Sequence, residues 1–364
     1  MCDIKISMAL QYASVANLFK TKSEAEKAER QFLHSISDIR DKETVTLGEV
    51  AEDYFYAAAA RVKESTAYTH RTSYHKHIEP YFKNKQVNLI TIRDISLWHQ
   101  KLNDYNINYK NRIHGFLKLI LDHAMKLEYI EKNVAQIHGG FKSQRDTVID
   151  DTEFIRYITP TQFDLVAKEI KETNPTYLAF FHLTYWTGAR MGELQSLTWE
   201  DIDFDTWFLR INKTLSTKTF DGGIKITNTK NRKNRNVIIP EQARQLILSL
   251  YEHDKKLDDF SWFMFGGIRH TSGTHIRRKL AEYLENANKN NAVDIPVVTH
   301  HEFGRHSHAS LLLSLGFTYD EIGLRLGDTA AVIEKTYAHL FPQAQTQIVD
   351  RLSKKNIDKL MGDS

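Results

Sequence analysis

The chain has one cysteine, Cys2, among 364 residues, so no intrachain disulfide can form and the cysteine-based zinc patterns are excluded. Six prolines are too few for long extended linkers. No apolar run reaches the roughly 18 residues a membrane span needs, and no basic-then-apolar leader opens the chain. These absences predict a cytoplasmic protein with no membrane partner. Net charge is scarce too: 49 Lys+Arg against 46 Asp+Glu leaves +3. So small a balance is compatible with nucleic-acid binding but does not argue for it, and any basic surface must come from local placement. What remains is ordinary, with 41% hydrophobic and 26% charged residues in a length that suits two or three domains.

Pattern and capping residues organise the chain. "FKTKSEAEKAERQFL" reads as a strand end and a helix, with Thr21 and Glu24 at capping-box spacing, before the charged connector "SDIRDKETV". From Thr46 the reading is helical. Thr46 and Glu49 form a second box, Ser65 is placed to cap a helix that stops at Pro80, and Thr91 and Asp94 cap another. In "YKNRIHGFLKLILDHAMKLEYI", Ile113, Phe116, Leu117, Ile120, Leu121, Ala124 and Leu127 trace one helical face. Residues 46–135 thus predict a four-helix unit, with His70, Arg71, Lys76, His77, Lys110 and Arg112 on a basic side that reads most simply as solvated surface. Residues 136–157 are polar and glycine-containing, as an interdomain linker is.

A further unit opens at Thr159, Pro160 and Gln162. A helix broken at Thr187-Gly188 comes next, then strand-like runs "DIDFDTWFLRI", "GGIKITNT" and "RNVIIP" with "FDGG" as a turn. The chain then returns to helices. The fold class predicted is mostly α with a small antiparallel sheet, α+β and multidomain. Boundaries fall at 1–45, 46–140 and 155–364.

One stretch is unusual in composition. "THHEFGRHSHASL" packs His300, His301, His306 and His308 around Arg305. Four imidazoles suggest a metal site and an arginine among them suggests a phosphate clamp, but no Cys or acidic ligand set stands at a recognised metal spacing.

Three segments answer the question together. "TGARMGELQSLTWEDIDF" (187–204), "RHSHASLLLSLGFTYDEIGLRLGD" (305–328) and "TYAHLFP" (336–342) resemble, in order and spacing, the boxes of the tyrosine recombinase family, the integrases and resolvases that share a core with type IB topoisomerases. "FKTKSEAEKAERQFL" resembles the end of the arm-type DNA-binding domain of phage and conjugative-transposon integrases, and 46–135 their helical core-type DNA-binding domain. Residues 1–17 do not resemble that arm domain's first strands, so the resemblance implies a truncated or degenerate arm segment. The segment 155–364 then corresponds to the catalytic domain with a C-terminal tail helix.

The resemblance implies a chemistry. Arg190 and Arg305 hold the scissile phosphate, as guanidinium forks hold phosphate oxygens bidentately. Tyr337 is the nucleophile, and its 3′-phosphotyrosyl link conserves bond energy, so no cofactor, ATP or metal is implied. A hairpin lysine protonates the leaving oxygen; Lys230 fits best and Lys233 competes. The family's His-x-x-Arg is altered: Glu302 is three residues before Arg305 and His301 four before it. Either Glu302 has replaced the histidine, or Gly304 is an inserted residue of the kind a π-bulge or glycine kink absorbs; His301 is the preferred companion of Arg305. His306 and His308 pack or hydrogen-bond near the clamp. The family's Leu-Gly-His is Leu326-Gly327-Asp328 here. Asp328 cannot donate to phosphate when ionised, so it is expected to orient an arginine or accept the hydrogen of Tyr337.

The implied partners are double-stranded DNA at specific sites, a homotetramer on that DNA, and a small directionality factor. His70, Arg71, Lys76, Lys110 and Arg112 are the candidate contacts of the helical domain, and the tail helix after Tyr337 docks on a neighbouring protomer or on its own domain. The favoured function is the integrase/excisionase activity of a mobile element. The alternatives are a catalytically impaired, recombinase-derived DNA-binding protein, and topoisomerase activity as a side reaction.

Overall fold

The computed structural model describes residues 44–142, 155–229, 234–255 and 262–338. The arm-like helix near Thr21, the tail helix, Lys230 and Lys233 lie outside them. The chain divides into two compact units, Met1–Ile149 with Ser216–Lys225, and Asp150–Leu215 with Ile226–Ser364.

The first unit is helical: α1 (Leu47–Ala59), α2 (Glu64–His77), α3 (Glu79–Phe82), α4 (Ile92–Gln100), α5 (Ile107–Lys126) and α6 (Val134–His138). Both predicted capping boxes are made. Thr46 accepts from the Glu49 amide at 3.3 Å while Glu49 accepts from the Thr46 amide at 2.9 Å, and Thr91 and Asp94 do the same for α4. Ser65 does not cap. The cap lies two residues earlier, at Lys63, and Glu64 enters the first turn of α2, where the helix dipole favours an acid. Nor does Pro80 end that helix: α2 stops at His77, and Pro80 sits in the first turn of α3, where a missing N–H costs nothing. All seven apolar residues predicted along α5 are buried, packed with Leu47, Val50, Ile95 and Trp98. The Trp98 indole N–H is satisfied by the His77 carbonyl at 2.8 Å.

The second unit is mixed, as the patterning predicts. It contains α7 (Pro160–Lys171), α8 (Pro175–Thr187) and α9 (Met191–Gln195), then β1 (Ile202–Asp203), β2 (Phe208–Ile211), β3 (Lys213–Ser216), β4 (Lys225–Asn228) and β5 (Arg235–Ile238). α10 (Glu241–Lys255) and α11 (Gly273–Asn291) come next. A π-helical turn (Glu302–His306) then leads into α12 (Ser307–Ser314), α13 (Tyr319–Leu326) and α14 (Ala330–Tyr337). β2 lies between β1 and β5, antiparallel to both, and β3 pairs with β4. Thr159, Gln162 and Pro160 open α7 as predicted. The strand β3 goes beyond the sequence reading, because "KTLS" is too short to display an alternation.

An aromatic core of Phe163, Phe180, Phe181, Tyr185 and Phe303 fills the space between α7, α8 and the π turn. A smaller cluster of Ala309, Ile322, Leu326, Ile333 and Tyr337 joins α12, α13 and α14. That second cluster sets the position of the tyrosine. No helix among the described residues is long and apolar enough to cross a membrane.

Candidate active site

Two left-handed glycines flank the place where Arg190, Arg305 and Asp328 meet. α8 ends at Gly188, whose φ of +63° a side chain would resist. The turn presents the Gly188 carbonyl to Arg305 Nη1 at 3.2 Å and puts Arg190 at the start of α9. α13 ends at Gly327, φ +70°, and this turn aims the Leu326 carbonyl at Arg305 Nη2, 2.8 Å away, with Asp328 beside it. Arg305 comes from the π turn and is buried. Three chain segments that are far apart in sequence thus meet at one guanidinium.

Asp328 bridges the two arginines. Arg190 Nη2 donates to its two carboxylate oxygens at 3.0 and 3.2 Å, and Arg305 Nη2 donates to Oδ2. Partial burial pushes the Asp328 carboxyl up, but the hydrogen bond from Arg305 and the charges of Arg305 and Arg190 outweigh it and hold the group below its ordinary value. Of the two roles expected of Asp328, the geometry corresponds to orienting the arginines.

A second carboxylate, Glu193, lies beneath the clamp. It accepts from the Arg190 amide at 2.8 Å and from Arg235 Nη1 and Nη2 at 3.2 and 2.8 Å. Burial opposes its charge, and Arg235 and Arg190 more than restore it. Arg235 reaches inward because β5 buries alternate residues: in register with Ile211 of β2, it points to the core face. Sequence reasoning passed over Glu193 and Arg235 as site residues. The signal was available for Glu193, which stands three residues after Arg190, at capping-box spacing.

Tyr337 closes α14 and is buried. Its hydroxyl lies 2.8 Å from His306 Nδ1. Burial raises the phenol above its ordinary value, and the opposing pull of Arg305 and Arg190 does not cancel that.

The four histidines divide. His300 is buried against Phe180, with Nε2 3.5 Å from the Thr184 hydroxyl. His308 is buried and accepts from Arg325 Nε at 2.8 Å. His301 reaches solvent and meets the His306 ring edge-on, centroids 4.6 Å apart. Among the described residues, no three His, Cys, Asp or Glu side chains converge as metal ligands would.

Gly304 is absorbed as a π turn: the Ser307 amide reaches back five residues to the Glu302 carbonyl. Only glycine fits there, because an added Cβ would stand 2.4 Å from Thr184 Cγ2. The Glu302 carboxylate turns away to accept from the Thr299 amide at 2.6 Å, which leaves His301 as the residue of the pair next to the site.

The predicted DNA contacts of the helical unit are not equivalent. His70 is used inside the unit, 2.8 Å from the Tyr54 hydroxyl and packed on Phe116, and Arg71 pairs with Glu52 at 3.2 Å. Lys110 lies over Phe141, Arg112 lies over Tyr109, and Lys76 is exposed.

The profile of the phage integrase family matches residues 156–344, and that of the phage integrase N-terminal SAM-like domain matches residues 46–103. The chain therefore belongs to the phage integrase family, the tyrosine recombinases, and is an enzyme of that class, whose members are site-specific recombinases. It is 25% identical to the ICEBs1 integrase of Bacillus subtilis over 350 residues, 91% of this chain and 90% of that one. A XerC-like tyrosine recombinase of Caldanaerobacter subterraneus is 26% identical over 366 residues, 92% and 90% of the two chains. The fold is that of the Tn1549 transposon integrase in complex with a circular intermediate DNA, with TM-score 0.69 and 18% identity over 84% of this chain and 99% of that one. A lambda integrase tetramer bound to a Holliday junction gives TM-score 0.59 and 17% identity, over 89% and 87%.

Proposed function

We propose that this enzyme cleaves and rejoins duplex DNA at a specific site through a 3′-phosphotyrosyl intermediate on Tyr337, as the integrase of a mobile element. The observation that supports the reading is the convergence of Arg190, Arg305 and Tyr337 from three separate segments: Asp328 bridges the two guanidiniums, and both act on the Tyr337 phenol. The two guanidiniums bind the non-bridging oxygens of the scissile phosphate and stabilise the charge that builds there during attack, a contribution of about 3–4 kcal/mol for one well-placed donor. A lysine of the β4–β5 connection, Lys230 or its competitor Lys233, protonates the departing 5′-oxygen. His301 lies beside the phosphate, and Asp328 aligns the arginines. Transesterification conserves the phosphodiester energy, so no step draws on ATP.

The domain reading belongs to the same proposal: 46–140 as the core-type DNA-binding domain, 155–364 as the catalytic domain, and 1–45 as an arm-type DNA-binding segment. Lys76, Lys110 and Arg112 contribute phosphate contacts, which makes binding strongly salt-dependent. Recombination takes four protomers on two sites. The relative solved on a Holliday junction as a tetramer supports that assembly, and a directionality factor completes the partner set.

A nicked suicide duplex bearing the element's core site tests the reading. The wild type is expected to accumulate a covalent protein–DNA adduct, and Tyr337→Phe none. Binding of the duplex with no adduct from the wild type would replace this reading with that of a recombinase-derived DNA-binding protein.

A further inference from the structure

Attack by a tyrosine needs somewhere for the phenolic proton to go. A phenol is protonated at neutral pH, and burial pushes that of Tyr337 further up. Among the described residues, Asp328 and His306 lie near enough to matter. Both Asp328 oxygens already accept from guanidiniums, and an anion so paired is a poor base. His306 is different. Its Nδ1 lies 2.8 Å from the Tyr337 hydroxyl, with ring centroids 5.5 Å apart.

The surroundings of His306 suit a neutral ring that accepts a proton. His301 meets it edge-on at 4.6 Å, Glu302 and Arg305 flank it on its own turn, and Tyr337 comes from α14. Burial and the Arg305 charge keep the imidazole unprotonated, against the pull of Glu302. The π turn contributes as well: it sets the rings of His301 and His306, five residues apart, in edge-on contact.

We propose that His306, the residue after the clamp arginine, is the general base that takes the proton of Tyr337. This rests on the reading of Tyr337 as nucleophile. During cleavage, Tyr337 Oη bonds to phosphorus, the bond from phosphorus to the 5′-oxygen breaks, and the phenolic proton passes to His306 Nδ1. The 5′-oxygen leaves with a proton from the hairpin lysine. During religation the 5′-hydroxyl attacks, giving its proton back to that lysine, and His306 returns its proton to the departing tyrosine oxygen.

His306→Asn is the decisive variant, because its side-chain oxygen can still accept from Tyr337 near the Nδ1 position but has no useful basicity. With DNA binding and thermal unfolding as controls, adduct formation on the suicide duplex is expected to slow about 10²–10⁴-fold. Replacing Tyr337 by a fluorinated tyrosine with a more acidic phenol should recover part of that loss. A 5′-bridging phosphorothiolate, which spares only the leaving-group proton, should recover none. Cleavage by His306→Asn within a few-fold of wild type, with Tyr337→Phe inactive, would overturn the proposal and leave the nucleophile standing. An adduct from Tyr337→Phe would overturn the nucleophile instead. A second measurement needs no variant of His306: ¹⁵N NMR of imidazole-labelled wild type should show Nδ1 unprotonated at neutral pH, and a protonated Nδ1 would exclude His306 as acceptor.

Discussion

Asp328 joins Arg190 and Arg305 across 138 and 23 residues of chain, with Arg190 Nη2 3.0 Å from one carboxylate oxygen. A carboxylate that bridges two guanidiniums both fixes them relative to each other and cancels part of their charge.

Asp328→Asn should therefore separate stability from binding. Losing charge-assisted hydrogen bonds is expected to cost about 1.5–3 kcal/mol, read from denaturant midpoints. The folded carboxyl titrates below its ordinary value, so its stabilisation is complete above about pH 4 and is lost as pH falls through the folded value. The variant should accordingly lose less stability than wild type on acidification below pH ~4. DNA affinity should rise, with the slope of log K against log salt steeper by about one. Unchanged affinity would mean that the carboxylate does not offset the clamp charge.

Glu193→Ala should be the most destabilising change at the site. It would leave the Arg235 guanidinium, only 6% exposed at its side chain, without its carboxylate. Removing one partner of a buried pair costs about 3–5 kcal/mol. Chemical denaturation would measure this, and a loss under 1 kcal/mol would mean that water or Asp328 takes over the pairing.

Local signals were legible in the sequence and tertiary ones were not. The boxes at Thr46, Thr91 and Thr159 depend on residues three apart and form as read. The α5 stripe is buried throughout because a regular helix leaves it one face to hide. Ser65 failed as a cap because Glu64 competes for the start of the same helix. The count from Glu302 to Arg305 showed the altered spacing, and the π turn at Glu302–His306 is where the chain takes it up. That the His306 imidazole meets the Tyr337 phenol depends on how the π turn and α14 pack, which no local spacing shows. Arg235 was hidden for a similar reason, since a charged residue on the inward phase of a strand reads as a break in the pattern until its partner is seen.

Gly304→Ala tests whether the π turn is tightly packed. The new methyl would overlap Thr184 Cγ2, and overpacking of this kind costs about 1–3 kcal/mol. Thr184→Ser keeps the hydroxyl that donates to the Phe180 carbonyl at 2.8 Å and removes the clashing methyl. The double variant should regain part of the loss, a coupling that a double-mutant cycle measures directly. Simple additivity of the two changes would mean that the turn relaxes away from α8.

The buried histidines predict the pH response of the whole chain. His99 and His123 in the helical unit, and His300 and His308 in the mixed unit, are buried, and burial holds their imidazoles down, to about 3, 4, 3 and 3. In the unfolded chain they titrate near 6.5. Above that value neither state is charged and they cost nothing. As pH falls below it, the unfolded state takes up protons that the folded state refuses, and stability drops by about 1.4 kcal/mol per pH unit for each. Melting temperature should therefore fall steeply between pH 6.5 and 5, before the carboxylates titrate, and in both units. His308→Gln should flatten the slope for the mixed unit by about one proton and leave that of the helical unit unchanged. A melting temperature constant from pH 7 to 5 would mean that these imidazoles are protonated in the fold, which their burial argues against.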